Sequence, residues 1–90
     1  MLKLPSELAV SRIEELQQQI AQELHEERDI HIDIVDLVRV DTACIQLLCA
    51  LQKQLHAIEH KIVWHGKSEA LLEAVHVLGL SDFLALHDNI

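Results

Sequence analysis

The chain has 90 residues, 50% of them hydrophobic, and a formal net charge of −8 with only seven Lys and Arg. That length makes one small domain able to bury roughly 60–65% of its unfolded surface, and the apolar content argues against disorder. Scattered cations and a 2% aromatic content argue against nucleic acid as a partner, since they provide neither phosphate neutralisation nor a stacking platform for bases.

Taken in order, Leu2-Lys3-Leu4 alternates and suits a brief strand, after which Pro5-Ser6-Glu7 turns the chain. Ser11-Arg12-Ile13-Glu14 matches a capping box, so a helix is predicted with Ser11 as its cap. Ile13, Leu16, Ile20 and Leu24 form its apolar face, and it ends near Glu26–Arg28. Asp29 to Leu37 alternates, with Ile30, Ile32 and Ile34 on one side and His31 and Asp33 on the other, as a half-buried strand does. A central helix is predicted from about Thr42 to Glu59. Its apolar stripe is Cys44, Leu48, Leu51, Leu55 and Ile58, widened by Ile45 and Leu47, with Gln46, Gln52, Lys53 and Gln54 on the wet side. Lys61 to His65 is a second core strand closed by Gly66. Ser68 is placed to cap a third helix carrying Leu71, Leu72, Val75 and Leu78, with Gly79 as its stop. Leu80 to Leu86 is the candidate last strand. The β-α-β-α-β-α-β order implies a single α/β domain over residues 1–90, with a largely parallel sheet packed by about three helices.

No apolar run approaches the ~18–20 residues of a membrane span. Lys3, Pro5 and Glu7 sit where a secretory signal would need an apolar core, so a cytoplasmic location is expected. Cys44 and Cys49 lie five apart on one predicted helix, poor geometry for a disulfide, and reduced thiols fit that compartment.

The stretch Val38-Arg39-Val40-Asp41-Thr42-Ala43-Cys44-Ile45 places one hydroxyl beside a carboxylate where a strand hands over to a helix. A helix N-terminus offers unpaired N–H groups and the positive end of its dipole, which favour oxygen acceptors and phosphates. The plain reading of Thr42 is an N-cap, worth about 1 kcal/mol. Asp33, Asp36 and Asp41 carry oxygens that suit a divalent cation, but such residues are more commonly turn formers and caps. His56 and His60 are four apart, yet Ala57 rules out a metalloprotease motif, and surface histidines are the simpler reading. Cys44 near a helix start invites a low thiol pKa and redox sensing, whereas its place in the apolar stripe argues for a core filler. Trp64 reads as core or rim packing. With two isolated glycines there is no phosphate-cradling loop, and no Ser-His or Cys-His pair has a motif behind it. No enzyme activity, cofactor or metal is expected.

Asp33, eight residues before Asp41-Thr42-Ala43, followed by an apolar helix, resembles the signature of STAS domains, the anti-sigma-factor antagonists and their relatives. Leu4-Pro5-Ser6-Glu7-Leu8 resembles that family's turn before its first helix, and Leu78-Gly79-Leu80 with Phe83 resembles its closing element. The resemblance runs from about Leu2 to Leu86. It implies a STAS-like small mixed, largely parallel four-stranded sheet, trimmed at both ends because the family's extra N-terminal strand and C-terminal helix have no counterpart. It also implies a regulatory binding module without chemistry of its own. On that resemblance Thr42 is the phosphoacceptor or partner contact, Asp33 and Asp41 are its acidic frame, and Arg39, Ala43 and Cys44 are neighbouring contact positions. The implied partner is a Ser/Thr kinase or anti-sigma-type ATP-binding protein. Ala9 stands where many members carry Asp, and Cys44 where Gly is usual. The arginine-valine-aspartate-threonine run is also similar to the small STAS subunit of a lipid-transport ABC system, where the partner is the ATPase. A homodimer built on a free sheet edge is the structural alternative.

Overall fold

Alternating apolar positions and short breaks produce the elements of residues 1–86, the part of the chain that the computed structural model describes. In order they are β1 (Leu2–Lys3), β2 (Glu7–Leu8), a 3-10 turn (Val10–Arg12), α1 (Ile13–Leu24), β3 (Ile30–Asp33), β4 (Arg39–Val40), α2 (Thr42–Ala57), β5 (Ile62–His65), α3 (Glu69–Val77) and α4 (Ser81–Leu84). Every strand pairing among the described residues is parallel.

The strands do not form the single four-stranded sheet expected. They form a three-stranded sheet ordered β1-β3-β5 and a separate pair, β2-β4. Leu2 pairs with Ile32, and Ile30 to Asp33 pair in step with Ile62 to His65. Glu7 and Leu8 then pair with Arg39 and Val40. Pro5 lacks an N–H for the ladder. The chain opposite bends through a turn in which Leu37 N–H bonds to Ile34 O and Val35 N–H to the Asp33 carboxylate. Ser6 O then accepts from both Val38 and Arg39, and pairing resumes beyond the bend.

Leu80–Leu86, expected as a strand, is helical over Ser81–Leu84. Leu80 and Leu84 stand one helical turn apart, Leu84 N–H bonds to Leu80 O, and Leu84 is fully buried. Ser11 does not cap α1: it lies inside the 3-10 turn, and the cap position is Arg12, which makes no side-chain capping bond. Ser68 does cap α3, its Oγ accepting from Leu71 N–H at 3.2 Å while donating to Leu37 O at 2.7 Å.

The order β1-β3-β5 steps the same way twice, so two parallel crossovers of the usual right hand place α1 and α2 on one side of the sheet. Leu2, Ile30, Ile32 and Ile62 point to that side and are buried with Leu16, Ile20, Cys44, Leu48, Leu51 and Leu55. Each such aliphatic side chain contributes roughly 1.5–3 kcal/mol by leaving water. The other face of the sheet carries Lys3, His31, Asp33, Val63 and His65, all exposed or half-buried. Parallel sheets are normally covered on both faces, whereas no described helix covers this one.

Gln52 departs from its expected place on the wet side of α2. It is 2% exposed and ties the helix to the rim of the sheet: Oε1 accepts from Ile62 N–H at 2.8 Å and Nε2 donates to Phe83 O at 3.2 Å. Ile58, expected in the apolar stripe, lies beyond the helix end and is exposed. Gly66 closes β5 with φ of +82°, and a Cβ there would meet Val35 Cβ at 3.0 Å. That close approach fixes the bend opposite Pro5.

Candidate functional site

The junction between β4 and α2 is built by Asp41. Its backbone is extended (φ −81°, ψ 149°), which makes it the N-cap of α2. Its carbonyl accepts from Cys44 N–H at 3.0 Å and Ile45 N–H at 3.3 Å, and its own N–H bonds to Leu8 O at 2.9 Å. Its carboxylate does not cap α2. Instead Oδ2 accepts from Val10 N–H at 2.8 Å and holds the 3-10 turn against the helix start.

Thr42 is therefore the first residue of α2 and not its N-cap threonine. It is exposed, and its side chain makes no hydrogen bond to a described residue. It lies on the rim of an open cleft of about 420 Å³ lined by Val40, Ala70, Glu73, Ala74, Val77 and Leu78. Val77 and Leu78 remain 76% and 43% exposed, and Val38, just before β4, is 69% exposed. A bare hydroxyl thus sits at the edge of an uncovered apolar surface, where α2 begins and α3 ends.

The other residues singled out from the sequence occupy different places. Arg39 is exposed on β4, in register with Glu7, and Ala43 is half-buried in the first turn of α2. Cys44 points into the core with no accessible surface, so a partner touching Arg39 and Ala43 does not reach its side chain. Asp33 ends β3 in the three-stranded sheet and uses Oδ1 to accept from Val35 N–H at 2.9 Å. No hydrogen bond links it to Asp41 or Thr42. Each carboxylate of the expected frame instead holds a backbone N–H, Asp33 that of Val35 in the bend after β3 and Asp41 that of Val10. Asp36 pairs with Lys3 at 3.2 Å on the exposed surface.

Burial pushes the Cys44 thiol up, and the Asp41 charge raises it further. This is the reverse of what a reactive thiolate at a helix start requires. Burial also raises the Cys49 thiol. Both cysteines are free. Among the described residues no group of three or more His, Cys, Asp or Glu side chains is arranged to hold a metal ion.

The histidines are placed in ways that spacing did not reveal. His56 stacks edge-on against Phe83 with ring centroids 5.8 Å apart. His60 lies past the end of α2, behind Glu59 at φ of +62°, and its Nδ1 meets Asp29 Oδ1 at 3.0 Å. Asp29 also accepts from Lys61 N–H at 3.0 Å, and this bond, helped by His60, holds its carboxyl below the usual range. His31 and His65, on neighbouring strands, bring Nδ1 and Nε2 to 2.7 Å. The sequence placed His31 on the outer side of its strand but gave no sign of His65 beside it; the pairing register joins them.

No described helix is long and apolar enough to cross a membrane. The family model described as "Mlab, STAS domain" matches residues 1–86. Comparison with curated proteins and with solved structures produced no match. The α/β architecture with parallel strands agrees with the family match, and members of this family are commonly regulatory or protein-interaction modules. The chain belongs to the STAS domain family.

Proposed function

We propose that this protein is a non-catalytic, regulatory binding module of the anti-sigma-factor antagonist type, which docks a protein partner through the surface around Thr42. The supporting observation is the exposed Thr42 hydroxyl, without a hydrogen bond to any described residue, on the rim of the apolar cleft between the start of α2 and the end of α3. Val77, Leu78 and Val38 supply apolar contact area, Arg39 and Glu73 supply charges at its margin, and Ala43 allows close approach at the helix start. Thr42 is the phosphoacceptor in this reading, modified by a Ser/Thr kinase. A phosphate adds about −1.5 to −2 charges next to the Asp41 carboxylate, on a chain already at −8. The α2 N-terminus partly stabilises that charge, so the modified domain keeps its fold while the docking surface becomes anionic and hydrated.

The test is intact-mass measurement of protein from native cells, followed by incubation with the cognate kinase and ATP. One added phosphate, lost in Thr42→Ala, supports the switch; no phosphate on Thr42 in either experiment overturns it. Thr42→Glu is expected to weaken partner binding without unfolding the domain. Equal binding by Thr42→Glu, Thr42→Ala and the parent would reduce Thr42 to a bystander.

The second reading is an unphosphorylated accessory subunit of a phospholipid-transport ABC ATPase. It is favoured by the wording of the matching family model and by the apolar margin of the cleft, which suits a standing contact. Co-purification separates the two: a small ATP-binding kinase supports the first, a membrane-associated ATPase the second.

A further inference from the structure

The uncovered face of the three-stranded sheet holds a feature unconnected with the Thr42 surface. His31 on β3 and His65 on β5 point outward from adjacent parallel strands, with His31 Nδ1 2.7 Å from His65 Nε2 and ring centroids 5.0 Å apart at a 33° tilt. Two neutral imidazoles meet this closely only when one ring N–H donates to the bare nitrogen of the other. From this geometry we infer that His31 and His65 form a binding site for a divalent transition-metal ion with a preference for imidazole nitrogen, Cu²⁺ or Ni²⁺ before Zn²⁺.

Metal–imidazole bonds of about 2.0–2.1 Å put two ligand nitrogens roughly 2.9 Å apart at a right angle and about 3.3 Å apart at a tetrahedral one. The observed 2.7 Å lies nearer the right-angled arrangement, which tetragonal Cu²⁺ and Ni²⁺ adopt. The nitrogens need to separate by only a few tenths of an ångström, and the rings must turn by about 45° so that both lone pairs point at the ion. On binding, the bridging proton moves to the other nitrogen of its own ring, so both rings stay neutral. The strand register does the positioning, since Ile30 pairs with Ile62 and Asp33 with His65. Water completes the coordination sphere, because the face above the pair is open.

Charges of both signs lie around the pair: Glu23 and Asp29, but also Arg28, line the cavity that His31 borders. Asp33 is in register with His65 and already holds Val35 N–H through one oxygen. Lys3, the cation on the neighbouring strand, is held by Asp36 at 3.2 Å. On its other side His31 borders an open cavity of about 620 Å³ shared with Asp29 and His60. That carboxylate–histidine pair is the competing location for an ion.

The experiment uses the untagged full chain and the metal alone. Calorimetric titration with Cu²⁺ and with Ni²⁺ near neutral pH is expected to show one ion per chain, and the Cu²⁺ spectrum two equatorial nitrogens. His31→Asn and His65→Asn should each weaken binding about tenfold or more, whereas His60→Asn and His76→Asn should leave it unchanged. Acidification should weaken binding, because protons compete with the ion for ligand nitrogen. Binding by the His31→Asn/His65→Asn double variant equal to that of the parent would overturn the site. So would loss of binding in His60→Asn, which would place the ion on the Asp29–His60 pair. Both histidines lie on the outer face of the sheet, so the variants are expected to keep their fold, with circular dichroism as the check.

Discussion

Replacing Gln52 by Leu tests how α2 is tied to the sheet. The side chains are similar in volume, so the change removes two hydrogen bonds without opening a cavity. The Phe83 carbonyl that Nε2 contacts belongs to a residue 39% exposed, and water can take over that bond. Ile62 is 3% exposed, and its N–H points away from β3 toward Gln52 Oε1 at 2.8 Å. In the variant this donor has no partner. A buried polar group left unmade costs about 1–3 kcal/mol, and the more apolar Leu side chain recovers part of that by burial. The expected net loss is about 1–2 kcal/mol. For a domain of this size that corresponds to a fall in Tm of roughly 5–15 °C. Urea unfolding followed by circular dichroism should show a lower midpoint at unchanged slope. Gln54→Leu, on the exposed side of the same helix, should stay within about 0.5 kcal/mol of the parent. If Gln52→Leu is as stable as the parent or more so, the Ile62 N–H does not depend on Gln52, and the account of the sheet rim given above is wrong.

Four further substitutions probe the frame that carries the candidate surface. Gly66 and Gly79 both have positive φ, but a Cβ at Gly66 meets Val35 at 3.0 Å while one at Gly79 meets nothing within 4 Å. Gly79→Ala should therefore cost about 1 kcal/mol of conformational strain, and Gly66→Ala about 2–3 kcal/mol, in parallel thermal melts. Ser68→Ala removes both the α3 cap and the bond to Leu37 O, and should lower stability by about 1–2 kcal/mol in urea titration. The Asp29 carboxyl is held below its ordinary value by the Lys61 N–H and by His60, so its contribution is present at neutral pH and is lost as pH falls through the acid range below about 4. Asp29→Asn should accordingly be less stable than the parent at pH 7, with the difference shrinking as the pH falls below about 4. A difference that persists undiminished in acid would show that charge is not what Asp29 contributes.

Much of this protein is decided by local chemistry that the sequence carries. Ile30, Ile32, Leu48, Leu51, Leu55, Leu71 and Val75 occupy buried positions because strand and helix periods place them on one face whatever the surroundings. Ser68, with its hydroxyl three residues before the Leu71 N–H it accepts from, is a cap for the same local reason. The start of α2 at Thr42 was equally legible, since a β-branched run ends there and a helical one begins.

Tertiary structure decided the rest. Ser11 and Asp41 both look like side-chain caps, yet a 3-10 turn absorbs the first, and the second turns to Val10, 31 residues away, because an unpaired N–H there needs an acceptor. Gln52 reads as a solvent residue until the rim of a sheet ten positions further along presents a bare N–H to it. The strands fall into two sheets where Pro5 and the turn at Val35 interrupt adjacent strands, and the expected fourth strand is lost because Ser81–Leu84 is helical. His31 and His65 carry no shared motif and meet only through the register of β3 on β5. Sequence patterns report which face a residue occupies; which donor or acceptor waits opposite that face depends on chain segments distant in the sequence, and only the folded chain supplies them.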